Sequence, residues 1–227
     1  MLSHQKAIAA IKAGVFKEEI IPTPAGNGTI VLEDVGPRGD STVEKLFTLK
    51  PVFDRNYGTV TAANSSMITD GAAMVLVMTE SRAKALGFTP LGFIRSYAYA
   101  GCEPRRMGLG PAFATPIALR RGGVTLKDID LIELNEAFAT VVLANEILFR
   151  SKDHAAALGL SEPIGEIDRA KLNVNGGAIA LGHPVGTSGT RLILTLLREL
   201  SRRGKSLGLA TLCVGGGQGG AVIVERA

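Results

Sequence analysis

Sulfur, imidazole and indole are scarce in this chain: two cysteines, three histidines and no tryptophan in 227 residues. The cysteines, Cys102 and Cys213, form no CxxC pair, so neither a disulfide framework nor a zinc site is expected, and a reducing compartment fits best. Long hydrophobic runs are also missing. The densest, Ala72 to Met78, is far shorter than the roughly 20 residues needed to span a bilayer. The opening Met1 to Ala10 has none of the charged head, apolar core and cleavage site of a signal peptide, which predicts an intracellular protein, bacterial cytoplasm being the default. Nor is there an excess of one charge: 25 basic against 21 acidic side chains leave +4, too little and too evenly spread to imply nucleic acid, and only mildly favourable to a phosphorylated ligand. With 46% apolar and 20% charged residues, disordered and fibrous classes are excluded, and the chain is long enough for one large domain or two small ones.

Glycine is abundant by contrast, and it frames two stretches near the C-terminus. The first runs from Asn175 to Gly189 and reads Asn-Gly-Gly-Ala-Ile-Ala-Leu-Gly-His-Pro-Val-Gly-Thr-Ser-Gly; the second runs from Cys213 to Gly220 and reads Cys-Val-Gly-Gly-Gly-Gln-Gly-Gly. Ordinary turn chemistry explains one such loop. Two of them, each with a single proton-handling side chain where backbone can approach a ligand closely, point to acyl chemistry with amide N–H groups facing a carbonyl. A third stretch, Asn135-Glu-Ala-Phe138 after an apolar strand, adds an amide able to hold water. A P-loop is excluded by Pro184 and by the absence of Gly-Lys-Ser/Thr.

The remaining sequence alternates helix and strand signals. A helix is predicted to about Ala13, ending at Gly14, followed from Ile20 to Asn56 by a Pro/Gly-punctuated excursion of loops and short elements. The apolar run Gly71 to Glu80 reads as a buried strand, Ser81 to Leu86 as a short helix, and Leu91 to Ala100 as a strand. A helix over Thr115 to Arg121 stops at Gly122-Gly123; Asp130 to Leu134 is a strand that leads into a helix near Asn135. Leu192, Ile193, Leu196, Leu197 and Leu200 form one stripe of an amphipathic helix that ends at Gly204, and Leu207 to Leu212 is a strand. Asp70 to Ala83 and Gln218 to Ala227 echo each other as glycine, buried strand, then mixed charge. This alternation predicts an α/β fold.

The ordered set of motifs resembles the thiolases, most closely the 3-ketoacyl-CoA thiolases of β-oxidation, and the resemblance covers essentially the whole chain. Besides the three stretches above it is carried by Gly58-Thr-Val-Thr-Ala-Ala-Asn-Ser-Ser66, Thr69-Asp-Gly-Ala-Ala73, Gly108-Leu-Gly-Pro111 and Ala114-Thr-Pro116. It implies a layered α-β-α fold, with residues 1–100 as a remnant of the N-terminal domain (loop excursion at about 14–57) and 101–227 as a complete C-terminal βαβαβαββ domain. It implies a CoA-dependent acyltransferase: His183 activates a nucleophilic cysteine, Cys213 exchanges the α-proton of the acetyl unit, Asn135 holds an oxyanion-site water, and the Gly215 N–H serves a second oxyanion site. Ser66 would meet the pantetheine arm and Met107 and Phe138 would line the thioester, each reading equally as a turn or core residue; Arg38 could meet a CoA phosphate but reads better as a solvated surface residue.

Coenzyme A is then a substrate, with no covalently bound cofactor and no metal, and the partners are acyl-CoA together with a second copy or a complementary N-terminal half. The family's acyl-accepting cysteine, which precedes a Ser/Gly-rich turn, has no counterpart here. Cys102, followed by Glu103-Pro104, is a poor substitute, so the chain by itself is expected to be inactive. The other class of reading is a catalytically silent acyl-CoA-binding or assembly module. The glycine-rich run after Cys213 is also expected to lower its thiol pKa from a usual value of about 8.5.

Overall fold

The computed structural model describes residues 1–227, and the chain forms two compact units that interleave along the sequence. In chain order its regular elements are α1 (Leu2–Lys12), β1 (Thr23–Pro24), β2 (Ile30–Val31), α2 (Val43–Phe47), α3 (Glu80–Ala85), β3 (Gly92–Gly101), α4 (Gly110–Gly122), β4 (Leu131–Leu134), α5 (Ala139–Phe149), α6 (Lys152–Ala157), α7 (Ala178–Leu181), α8 (Ser188–Arg202), β5 (Leu207–Val214) and β6 (Gln218–Arg226).

The smaller unit comprises Met1–Asp70, Glu136–Ala139 and Val174–Pro184. Gly14, in the left-handed region at φ 70°, lets the chain turn away from the end of α1. The inner face of α1, Ala7 and Ala10, packs with Phe16 against Ala180 and Leu181 of α7, with Ile11, Val15 and Ile20 alongside. Between Ile20 and Asn56 the only regular structure is the small antiparallel pair β1–β2 and the single turn α2, which matches the expected excursion of loops.

The larger unit comprises Gly71–Asn135, Thr140–Asn173 and Val185–Ala227. Its sheet has the order β3-β6-β5-β4, antiparallel except for the parallel pair β4/β5. A further strand of the expected βαβαβαββ pattern is reduced to one parallel bridge, Ile132 to Leu172. Alternate residues of a strand face opposite sides of a sheet, and β5 shows what covers each side. A side chain at Gly208 would strike Leu196 of α8, whereas the Thr211 hydroxyl meets the Thr115 hydroxyl of α4 at 3.3 Å. Helix α8 therefore covers one face and α4 the other, an α-β-α layering. The α8 stripe is as predicted: Leu192, Leu196 and Leu200 are fully buried.

Three local expectations are corrected. The run Gly71–Thr79 is no strand: it makes no ladder, and Met74, Leu76 and Val77 are 89%, 73% and 68% exposed. Apolar alternation specifies a face, but a strand also needs a neighbouring strand for its N–H and C=O groups, and none pairs with this segment here. Its echo in Gln218–Arg226, by contrast, pairs on both edges. Helix α4 begins at Gly110, five residues before the predicted Thr115, because Pro111 suits a first helical turn. Helix α5 begins at Ala139 rather than near Asn135. Residues 135 to 138 stay outside the helix: the Asn135 N–H donates to Thr211 O at 3.0 Å, and Ser65 bridges Phe138.

Candidate functional site

In the larger unit, β4 and β5 run parallel with Leu134 beside Thr211. Asn135 follows β4 directly and Cys213 stands two residues beyond Thr211, so both lie at the carboxyl end of adjacent parallel strands, where open α/β sheets collect ligands. Asn135 is 1% exposed and Cys213 is buried. Cys213 shares the parity of Thr211 and so belongs to the face covered by α4. Its partner across the hairpin is Gly219, which has no room for a side chain because the backbone of Gly110 lies against it. The start of α4 is thereby brought against the strand position beside Cys213. Gly215, exposed, opens the β5–β6 turn, in which Gly216 and Gly217 take left-handed φ values of 86° and 89°.

The expected lowering of the Cys213 thiol does not occur. Burial pushes its pKa up; a backbone hydrogen bond opposes this only in part, and the neighbouring Cys102 adds to the rise. Desolvation of a thiolate outweighs the amide dipoles of the glycine run. Cys102 is half-buried, and its thiol is also pushed up, first by burial and then by Glu103. It carries none of the signs of an activated nucleophile.

Met107 lies half-buried in a short irregular turn, Pro104–Leu109, that leads into α4. That turn is clamped by Asn145 of α5, which is fully buried: Nδ2 donates to Gly108 O at 2.8 Å and Val141 O at 2.7 Å, while Oδ1 accepts from Ala112 N at 2.8 Å.

In the smaller unit, His183 is half-buried and follows α7 by two residues. Its backbone N–H donates to Thr69 Oγ1 at 3.3 Å, and Gly182, at φ 93°, leaves no space between the backbone and Thr69 for a side chain. The unit also joins Ser66 to the segment holding Phe138: Ser66 N–H donates to Ala137 O at 3.0 Å, and Ala139 N–H donates to Asn64 O at 2.8 Å. Glu136 accepts from Ser3 Oγ at 2.6 Å and from Ile179 N at 3.2 Å. Arg38 is exposed; its N–H donates to His4 Nδ1 at 3.1 Å beside a cavity of about 300 Å³ lined by Gln5, Lys12 and Ser41 among others.

The predicted residues thus fall into two groups: Asn135, Met107, Cys213 and Gly215 in the larger unit, Ser66, Phe138 and His183 in the smaller. Three supporting residues escaped the sequence reading. Thr69 lay within a motif but carried no sign that its hydroxyl would hold His183. Asn145 and Ser3 gave no signal, since the contacts from Ser3 to Glu136 span 133 positions.

A layered α-β-α protein with a histidine and a cysteine on separate glycine-framed loops defines the class. The chain belongs to the thiolase family: residues 1–81 match the thiolase N-terminal domain and residues 88–226 the thiolase C-terminal domain. It is 50% identical over 226 residues to a 3-ketoacyl-CoA thiolase of Pectobacterium carotovorum, covering 98% of this chain and 52% of that protein. A 3-ketoacyl-CoA thiolase of Cronobacter sakazakii is 52% identical over 228 residues, covering 99% and 56%. Among solved structures, Bacillus anthracis acetyl-CoA acetyltransferase superposes with a TM-score of 0.86 at 41% identity, covering 99% of this chain and 54% of that one. Human mitochondrial 3-ketoacyl-CoA thiolase in complex with CoA gives 0.81 at 40% identity, covering 100% and 53%. The chain spans about half the length of the relatives it matches. No helix is long and apolar enough to cross a membrane.

Proposed function

We propose that the chain is the His183- and Cys213-bearing component of a thiolase-type acyltransferase, which cleaves 3-ketoacyl-CoA with CoA to acetyl-CoA and the shortened acyl-CoA, or runs the reverse condensation. The observation that carries this reading is the juxtaposition of Asn135 and Cys213 at the carboxyl ends of adjacent parallel strands, with a glycine turn directly after the thiol. A nucleophilic cysteine outside these 227 residues gives its proton to His183 and attacks the β-carbonyl. The Cα–Cβ bond then breaks, and the departing acetyl-CoA enolate takes a proton from Cys213. A thiol whose pKa is raised by burial stays protonated near neutral pH, which suits that donation. The Cys213 thiolate then takes the proton of the incoming CoA thiol, the resulting CoA thiolate takes the acyl group, and His183 returns its proton to the freed nucleophile.

In this reading Asn135 holds a water at one oxyanion site, Gly215 N–H serves the other, Ser66 meets the pantetheine arm, and Met107 and Phe138 line the thioester. Coenzyme A is substrate rather than cofactor. In this reading residues 1–100 are N-terminal-domain sequence and 101–227 the C-terminal domain; the N-terminal-domain match covers 1–81, and the C-terminal-domain match already begins at residue 88. The enzyme would serve β-oxidation in the cytoplasm, as a homo-oligomer or with a complementary N-terminal half.

A specific observation favours a second reading, a silent acyl-CoA-binding module: Cys102, the other thiol of these 227 residues, is shifted away from the nucleophilic form by burial and by Glu103. One assay separates the two. The chain is mixed with the N-terminal half of a related thiolase, and CoA-dependent cleavage of acetoacetyl-CoA is followed. Activity in the mixture alone supports the enzyme reading; binding of CoA without turnover supports the module; turnover by the chain alone, surviving Cys102→Ser, refutes an external nucleophile.

A further inference from the structure

We propose that Ser3 and Glu136 are positioning residues for His183, acting through the turn of helix that precedes it; the functional weight of this rests on reading His183 as the base. Helix α7 has only one turn, too short to hold its own shape, and its first backbone N–H groups have no partners within the helix. Two of these donors are met from outside: Gly177 N–H donates to Ser3 Oγ at 3.0 Å and Ile179 N–H to Glu136 Oε2 at 3.2 Å. Ser3 Oγ in turn donates to the same carboxylate oxygen at 2.6 Å. The bridge is closed to solvent, with Ser3 7% and Glu136 8% exposed.

Burying a carboxylate is costly, and an apolar residue would pack there without that cost, so its presence points to the donors it holds. Downstream, Ala180 and Leu181 pack on α1, and the His183 N–H reaches Thr69 Oγ1, which itself donates to Met67 O at 2.8 Å. His183 is therefore fixed at both ends of a short segment: by Thr69 at its own amide, and through α7 by the hydroxyl–carboxylate bridge. The bridge is the fixing point that single substitutions can remove without opening the apolar core.

The test uses the 227-residue chain and needs no turnover. With only three histidines, the imidazole resonances are assigned by His4→Gln and His154→Gln. The His183 ring shift and linewidth, and hydrogen exchange at each backbone amide, are then measured in Glu136→Ala, Glu136→Gln and Ser3→Ala. Glutamine keeps an oxygen able to accept both donors, so Glu136→Gln is expected to match the parent. Glu136→Ala and Ser3→Ala are expected to displace or broaden the His183 resonance and to speed exchange at Gly177, Ile179 and His183 about tenfold or more, leaving Leu209 to Cys213 unchanged.

Uniform acceleration over all amides with an unmoved His183 resonance would reduce the bridge to a structural contact and overturn the proposal, as would a displacement in Glu136→Gln equal to that in Glu136→Ala. If Glu136→Ala fails to fold, Ser3→Ala, which keeps the carboxylate, decides alone. Failure of the base reading is seen separately, as full turnover of His183→Asn in the complemented enzyme, whatever the resonances show.

Discussion

Asn145→Ala is the most informative test of how the larger unit is held together. Asn145 is fully buried and its amide makes three hydrogen bonds, to Gly108 O, Val141 O and Ala112 N. Alanine removes all three and leaves the Ala112 N–H buried without its acceptor. Losing the two bonds to carbonyls costs about 1 kcal/mol each, and the orphaned N–H adds about 1–3 kcal/mol, for a total of about 3–5 kcal/mol. That is a large share of the roughly 5–15 kcal/mol that holds a typical domain together. With a urea m-value of about 3 kcal/mol/M, the midpoint should fall by about 1–1.7 M at unchanged slope. Equilibrium unfolding followed by far-UV circular dichroism measures this. A fall of less than about 0.3 M would refute the reasoning, because the Met107 turn would then hold its place without the clamp.

Three further outcomes are expected. With a complementary N-terminal half supplied, Cys213→Ala abolishes α-proton exchange and condensation while sparing part of the acyl transfer, whereas His183→Ala impairs acyl transfer itself; equal loss of every partial reaction in both variants would make Cys213 structural. His4 has its pKa lowered, mainly by burial and then by nearby positive charge, so the folded state disfavours its protonated form. The stability it contributes is present above the unfolded value of about 6.5 and is lost as pH falls through the lower folded value; the drop in Tm from pH 7.5 to about 5.5 should therefore shrink in His4→Gln. Leu76→Lys, on the exposed run 71–79, should weaken concentration-dependent association in sedimentation velocity, and an unchanged profile would absolve that segment.

The sequence carried the elements whose signals are local and self-contained. The α8 stripe, the stop at Gly14 and the strand at Leu207 each follow from side-chain period or glycine conformation, and all are present. Gly71–Thr79 failed as a strand because its pattern reports what the segment would bury, while a ladder depends on another stretch of backbone. His183 and Cys213 stand out in the sequence because loops rich in glycine are unusual around single reactive side chains, and Asn135 because a polar amide directly follows an apolar strand. Their supports do not: Asn145, Ser3 and Thr69 are ordinary polar residues whose roles arise only when distant segments meet. The thiol pKa was misjudged for a related reason. Glycine content announces amide dipoles, but the depth of burial that overrides them belongs to the packed structure.

The opposite facing of Gly208 and Thr211 along β5 has a consequence for how this family can vary. Because the two helical layers are told apart by strand parity, insertion of one residue between Leu207 and Cys213 would carry the thiol to the α8 side with every original side chain still present, and a deletion would do the same. The β5 segment should therefore accept exchanges of one apolar residue for another more readily than a change of length by one residue.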